Sequence, residues 1–160
     1  MAALRLGDQA PGFSLHGVDG AAHSLSDYVG KPVAVVFSCC HCPYVVAWED
    51  RLNETARDFD DSAGMLVINA NAGYLGDSPD DMRIRAEKKG FSFPFLYDET
   101  QETATAYGAT RTPDTLRGPQ PHRTAVLEPP GIPGDPASAV DPVVGYLPPT
   151  PMPLDPIGIA

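Results

Sequence analysis

The segment VAVVFSCCHCPY, residues 33–44, carries the clearest structural signal of the chain. Its first half, Val33–Phe37, is a continuous apolar run rich in β-branched residues, which is typical of a strand covered on both faces of a parallel or mixed sheet. From Pro43 onward the period changes to three and four, which predicts an amphipathic helix of about four turns. Its expected core stripe is Val45, Trp48, Leu52, Ala56 and Phe59. All three cysteines of the chain therefore lie at the predicted junction between a buried strand and the following helix.

Working outward, strand and helix patterns alternate along the first two thirds of the chain. We predict a hairpin from residues 10–15 and 22–25, a strand at 65–69, a helix from Ser78-Pro79 to Gly90, a short strand at 95–97 and a helix at 100–107. Such alternation favours βαβ crossovers and a layered α/β domain.

The composition changes abruptly after Thr115. Twelve of the 18 prolines lie between Leu116 and Ala160, and proline is excluded from helix interiors and central strands. We therefore predict a globular domain over 1–115, followed by a proline-rich tail over 116–160 that is irregular or disordered.

Charge and composition exclude several classes of partner. The net charge of −10 repels phosphate backbones and anionic lipid, so we expect neither nucleic acid nor a membrane as a partner. The first residues lack the apolar run of a signal peptide, so a cytoplasmic location is expected. Three clustered cysteines argue against a structural disulfide framework and for redox chemistry or metal binding.

The spacing of Cys39 and Cys42 favours redox chemistry. Free N–H groups and the dipole at a helix start stabilise a thiolate, and two cysteines separated by two residues there can form a disulfide. We expect Cys39 to be the more exposed, attacking thiol, Cys42 to resolve, and Cys40 to be incidental. Zinc would need four ligands, and the sequence offers no second Cys-x-x-Cys or His pair, so neither a metal nor a cofactor is expected. Inert packing of the cysteines is the remaining alternative.

His41 lies between the two cysteines of the predicted couple. Imidazole can carry positive charge at working pH, and a cation beside a thiolate stabilises the reduced form. We therefore predict that His41 tunes the redox potential of the couple.

Five segments resemble one family in order and spacing: residues 7–15, 30–33, 37–45, 96–100 and 107–113. Over about residues 5–115 the chain resembles the thioredoxin-like redoxins, the group of alkyl hydroperoxide reductase and thiol-specific antioxidant proteins. The resemblance implies a thioredoxin-like sheet with an N-terminal β-hairpin. It also implies that Cys39 is the nucleophile, that Cys42 resolves, and that Thr112-Pro113 is a cis-proline loop beside them.

The chain departs from that family in two respects. Thioredoxins carry a buried carboxylate six positions before the first cysteine, where this chain has Val33, so the base that assists Cys42 is unassigned. The family also continues past the cis proline with a strand pair and a closing helix. The proline-rich segment replaces them here, which predicts a fold lacking the usual C-terminal strands and helix.

The implied function is thiol–disulfide exchange on protein or small-thiol disulfides, with a thiol reductant as a further partner. A second interpretation is a thiol-dependent peroxidase acting on peroxides. Peroxiredoxins hold their peroxide-reducing cysteine in Thr-x-x-Cys-Pro, and Cys39-x-x-Cys42-Pro43 resembles this with Cys39 in the place of the threonine. Cys42 would then be the peroxide-reactive thiol. An alternative of another class is a redox-inert binding module or an inactive, truncated domain.

Overall fold

The computed structural model describes residues 9–71, 73–109 and 112, together with the backbone of 126–127. The strands are β1 (Ser14–Gly17), β2 (Ala22–Ser24), β3 (Val33–Ser38), β4 (Gly64–Asn69), β5 (Phe95–Tyr97) and β6 (Val126–Leu127). The helices are α1 (Pro43–Asp58), α2 (Pro79–Lys89) and α3 (Glu102–Tyr107), and Leu25–Tyr28 forms a single 3-10 turn. The predicted hairpin, strands and helices of residues 10–107 are confirmed. Their ends are shifted by at most two residues, except that β1 begins at Ser14 and not at Ala10.

The strands form one mixed sheet in the order β2-β1-β5-β4-β3-β6. β3 pairs with β4, and β4 with β5, in parallel, whereas β1 joins β5 and β2 in antiparallel register. Because β3, β4 and β5 run in the same direction, their carboxyl ends lie at one edge of the sheet. Ser38 is the register partner of Asn69, so the loops that follow β3 and β4 start side by side.

Apolar side chains cover both faces of the sheet. One core is built on Val33, Val35 and Phe37 and reaches Tyr107 of α3. The other is built on Val67, Phe95 and Met82 and receives Leu52 and Ala56 of α1. Val33, at the start of β3, is fully inaccessible to solvent.

The predicted core stripe of α1 is partly wrong. Trp48 is 40% exposed, with the Arg51 guanidinium 5.2 Å from its ring centre, and Phe59 is exposed as well. The buried positions of the helix are Val45, Glu49 and Asn53. Glu49 turns inward because the Arg85 guanidinium of α2 donates to both of its carboxylate oxygens, so an ion pair replaces an apolar contact.

Helix α2 begins and ends as the sequence indicates. The Asp81 N–H donates to Ser78 Oγ at 3.2 Å and the Ser78 N–H donates to Asp81 Oδ2 at 3.2 Å. These two bonds satisfy two of the free donors of the first turn. Gly90 ends the helix in the left-handed conformation that glycine adopts without strain.

Only two residues of the proline-rich segment fall within the described part of the chain. Val126 and Leu127 pair antiparallel with Ala34 and Val33, so β6 adds a strand that the sequence did not predict. The rest of the predicted tail lies outside the described residues, and the domain boundary at 115 stays a prediction. Within the described ranges, none of the helices combines the length and the apolar character that crossing a membrane requires.

Candidate redox site

The three cysteines lie at the junction predicted from the sequence. Cys39 and Cys40 follow β3 directly, and Cys42 is the N-cap of α1, with Pro43 at the first helical position. All three are free thiols. The expected order of exposure is wrong: Cys39 is only 1% exposed, whereas Cys42 is partly exposed. The reason is that Cys39 continues the buried end of β3, whereas Cys42 stands at the open end of the helix.

Burial dominates the electrostatics of Cys39. It raises the pKa of the Cys39 thiol, although hydrogen bonds from the Thr112 hydroxyl and from the N–H groups of Cys42 and His41 lower it, and the charge of Asp77 raises it again. The expectation that the helix start lowers this pKa is therefore wrong in its net sign. The donors that stabilise a thiolate are present, but desolvation outweighs them.

Cys40 is held as a neutral thiol. Burial raises its pKa to about 12, and the carboxylate of Asp77 adds to this through its charge and a hydrogen bond, while Arg85 opposes it. Cys40 packs with Val67 and Met82 in the core beneath α1 and α2. The Cys40 thiol is therefore protonated at neutral pH and packs as a core side chain, which is consistent with the interpretation of Cys40 as an incidental cysteine.

The centre of the site is a carboxylate that the sequence analysis did not single out. Asp77 is fully buried. Its Oδ1 accepts from the Cys40 N–H at 2.6 Å and from the side-chain amide of Asn69 at 2.8 Å. Its Oδ2 contacts Nδ1 of His41. We call Asp77, Asn69, Cys40 and His41 the Asp77 network.

The imidazole of His41 is fixed on two sides. Its Nδ1 lies against Oδ2 of Asp77, and its ring stacks on Tyr74 with centroids 4.1 Å apart and an interplanar angle of 19°. The side chain remains 36% exposed. His41 thus lies in the loop before α1, and its imidazole is partly exposed to solvent at the edge of the site.

The loop between β4 and α2 brings Asp77 under Cys40 by two consecutive turns. The N–H of Tyr74 donates to the carbonyl of Asn71 at 3.0 Å, and the N–H of Asp77 donates to the carbonyl of Tyr74 at 3.1 Å. Gly76, directly before Asp77, has φ +91°, a conformation that residues with a Cβ rarely adopt. The glycine therefore permits the turn that buries the carboxylate.

The structure brings Cys39, His41, Cys42 and Thr112 together, since Thr112 hydrogen-bonds to the Cys39 thiol. Pro113 lies outside the described residues, so the cis-proline prediction stays a prediction. Among the described residues, no group of three or more histidine, cysteine or acidic side chains is arranged to hold a metal ion.

Sequence reasoning missed Asp77, Asn69 and Tyr74. Asp77 precedes Ser78-Pro79 and reads as an ordinary polar residue before a helix cap. One signal was available, because Asn69 ends a buried strand parallel to β3, and polar residues at neighbouring carboxyl ends meet at one edge. Val33, where the thioredoxin pattern places a buried carboxylate, begins β3, whereas the buried carboxylate beside Cys40 and His41 is Asp77, from the loop between β4 and α2.

The comparisons with known proteins agree with this geometry. The sequence profile of the AhpC/TSA family matches residues 6–131, and the chain belongs to that family. A relative from Mycobacterium tuberculosis, whose name places it among the peroxiredoxins, is 37% identical over 112 residues. The thiol-disulfide oxidoreductase ResA of Geobacillus thermodenitrificans is 28% identical over 114 residues. The crystal structure of an uncharacterized conserved protein from Geobacillus kaustophilus matches with a TM-score of 0.65 and 42% identity. The predicted thioredoxin-like α/β fold is confirmed.

These matches cover part of each molecule. They span 66% of this chain and 65% of the mycobacterial relative, 71% and 63% for ResA, and 68% and 60% for the Geobacillus kaustophilus structure. The chain therefore matches less than two thirds of the length of these relatives.

Proposed function

We propose that this protein is a thiol–disulfide oxidoreductase whose redox couple is Cys39 and Cys42. The observation that carries the proposal is the surrounding of the Cys39 sulfur at the start of α1. The Thr112 hydroxyl and the N–H groups of Cys42 and His41 each lower the pKa of this thiol. Hydrogen-bond donors aimed at a sulfur stabilise the thiolate, which is the attacking species in disulfide exchange.

The reaction follows from two thiols at one helix start. The Cys39 thiolate attacks one sulfur of a substrate disulfide, which forms a mixed disulfide and releases the first substrate thiolate. Cys42 then loses its proton and attacks the Cys39 sulfur. The Cys39–Cys42 disulfide forms and the second substrate thiolate leaves, so the substrate gains two electrons and two protons. A thiol reductant regenerates the pair.

Trapping of the covalent intermediate tests the assignment of roles. Cys42→Ser should accumulate a mixed disulfide on Cys39, located by peptide mass mapping after reaction with oxidised glutathione. Cys39→Ser should abolish exchange, and Cys40→Ser is the matched control that should react like the wild type. A trapped adduct on Cys42 in the Cys39→Ser protein would reverse the roles.

A peroxidase is the second candidate, and the exposure of the thiols favours it. Cys42 is the more open sulfur, lies at the N-cap directly before Pro43, and occupies the place of the peroxide-reactive thiol in the peroxiredoxin pattern. Rates of hydrogen peroxide consumption and of insulin disulfide reduction, measured on one preparation, separate the two activities. Faster peroxide turnover that requires Cys42 would replace exchange as the primary function.

Substrates and location are part of the same proposal. Protein or small-thiol disulfides are the expected substrates, peroxides belong to the second candidate, and a cytoplasmic location is inferred from the sequence alone. A redox-inert binding module is the alternative of another class. A redox titration that shows no reversible oxidation of two cysteines would favour that alternative.

A further inference from the structure

The Asp77 network contains a buried carboxylate that takes no direct part in the proposed exchange reaction. The groups placed against the Asp77 oxygens are the Cys40 N–H, the Asn69 amide, the Cys40 thiol and the His41 ring. The first three are hydrogen donors, so the carboxylate acts as an acceptor. Nδ1 of His41 therefore carries the proton of that contact, and Nε2 of the same ring is left to accept or donate another.

We propose that Asp77 is a positioning residue of the thiol site, which holds His41 so that Nε2 exchanges protons with the reacting sulfurs. The proposal rests on the proposed exchange function. Asp77 itself is fully buried and touches no substrate, so it acts through the ring. His41 suits the role because its side chain is 36% exposed and its backbone N–H donates a hydrogen bond to the Cys39 sulfur, which keeps the residue beside that thiol.

The exchange has two steps, the attack of Cys39 on the substrate disulfide and the attack of Cys42 on the mixed disulfide. In each step the attacking thiol loses a proton and the leaving substrate thiolate gains one. Nε2 takes the proton of the Cys39 thiol as that sulfur attacks, and the first released substrate thiolate takes it back from Nε2. Nε2 next takes the proton of Cys42, and the second substrate thiolate receives it. His41 ends each half-reaction neutral, so electrons and protons balance without a further reactant.

The need for such a base follows from the burial of Cys39. Its pKa is raised by desolvation, so the thiol form predominates at neutral pH and its proton must be removed during attack. A positioned general base contributes about 100- to 10,000-fold to such a step. Tyr74 completes the arrangement, because its stacked ring limits rotation of the imidazole.

The tautomer of His41 is the direct readout. In the full-length wild-type protein labelled with ¹⁵N-histidine, NMR should find the proton of the neutral ring on Nδ1. Asp77→Asn keeps an acceptor oxygen for the Cys40 N–H but turns an amide toward the ring, which should move the ring proton to Nε2. A wild-type proton on Nε2 overturns the proposal, even where the variant fails to fold.

Kinetics supply the second readout. Asp77→Asn should slow reaction with oxidised glutathione by about 10- to 100-fold, a part of the contribution of a general base. Asp80→Asn removes a carboxylate from the exposed first turn of α2 and should leave the rate unchanged. In a double-mutant cycle, Asp77→Asn should cause no further loss of rate once His41 is alanine. A loss that persists in the His41→Ala background shows that Asp77 acts otherwise, and overturns the proposal.

The two proposals fail in different ways. A wild-type protein that does not exchange with oxidised glutathione removes the proposed function, whereas the tautomer is observed without any turnover. Normal exchange with an unchanged tautomer and rate in Asp77→Asn removes the positioning role and leaves the proposed function standing.

Discussion

Replacing His41 by alanine should make the redox potential of the Cys39–Cys42 couple more negative. The negative charge of Asp77 raises the pKa of the Cys39 thiol, so it acts against the thiolate. In the wild type the His41 ring bonds to that carboxylate and offsets part of its charge. Without the ring, the Cys39 thiolate is less stable. At an alkaline pH, where the reduced couple carries this thiolate, the disulfide therefore becomes the more favoured state of the couple.

The magnitude follows from the burial of the two partners. A hydrogen bond to a charged group contributes about 1.5–3 kcal/mol, but the His41 side chain is 36% exposed, so solvent screening reduces the effect to about 1 kcal/mol. Since about 30 mV corresponds to 1.4 kcal/mol for a two-electron couple, the expected shift is roughly 20 mV.

Equilibration with glutathione buffers at alkaline pH, where the Cys39 thiolate forms, followed by thiol quantification, measures the midpoint of both proteins. His16→Ala is the control, because His16 is an exposed imidazole on β1, separated from β3 by β5 and β4. It should leave the midpoint unchanged. An unchanged or less negative midpoint in His41→Ala would refute the tuning role.

Three further predictions concern stability and boundaries. The pKa of Cys40 is raised to about 12 in the fold, above its ordinary value near 8.5. The unfolded state therefore loses this proton at a lower pH than the folded state, and the free energy of unfolding should fall above about pH 9. Urea titrations of the wild type and of Cys40→Ala at several pH values measure this loss. Glu49→Gln, which leaves Arg85 without its carboxylate, should cost about 2–3 kcal/mol of unfolding free energy, whereas exposed Glu54→Gln should cost little. Limited proteolysis should first cut within 116–160.

Each of these expectations has a contrary result. An equal alkaline loss of stability in the Cys40→Ala protein would mean that another group causes it. Equal losses from the substitutions at Glu49 and Glu54 would show that the buried ion pair contributes nothing. A first cleavage within residues 33–60 would contradict the domain boundary.

The order of the strands and helices and the place of the cysteines could be predicted from the sequence. The β-branched run at 33–37, the proline at the start of α1 and the cap and glycine of α2 are local signals, because turn chemistry and hydrophobic period act over a few residues. The position of Cys39, His41 and Cys42 at one junction followed from those signals alone.

The environment of that junction depends on contacts between residues that are far apart in the sequence. Asp77 is distant from the cysteines in sequence, and its burial depends on the parallel register of β3 with β4 and on the turn at Gly76. The same holds for Glu49, whose inward direction needs Arg85 from another helix. Burial and pKa are set by groups that meet across the fold, so a one-dimensional pattern placed the thiols correctly but gave the wrong exposure and the wrong sign for the shift at Cys39.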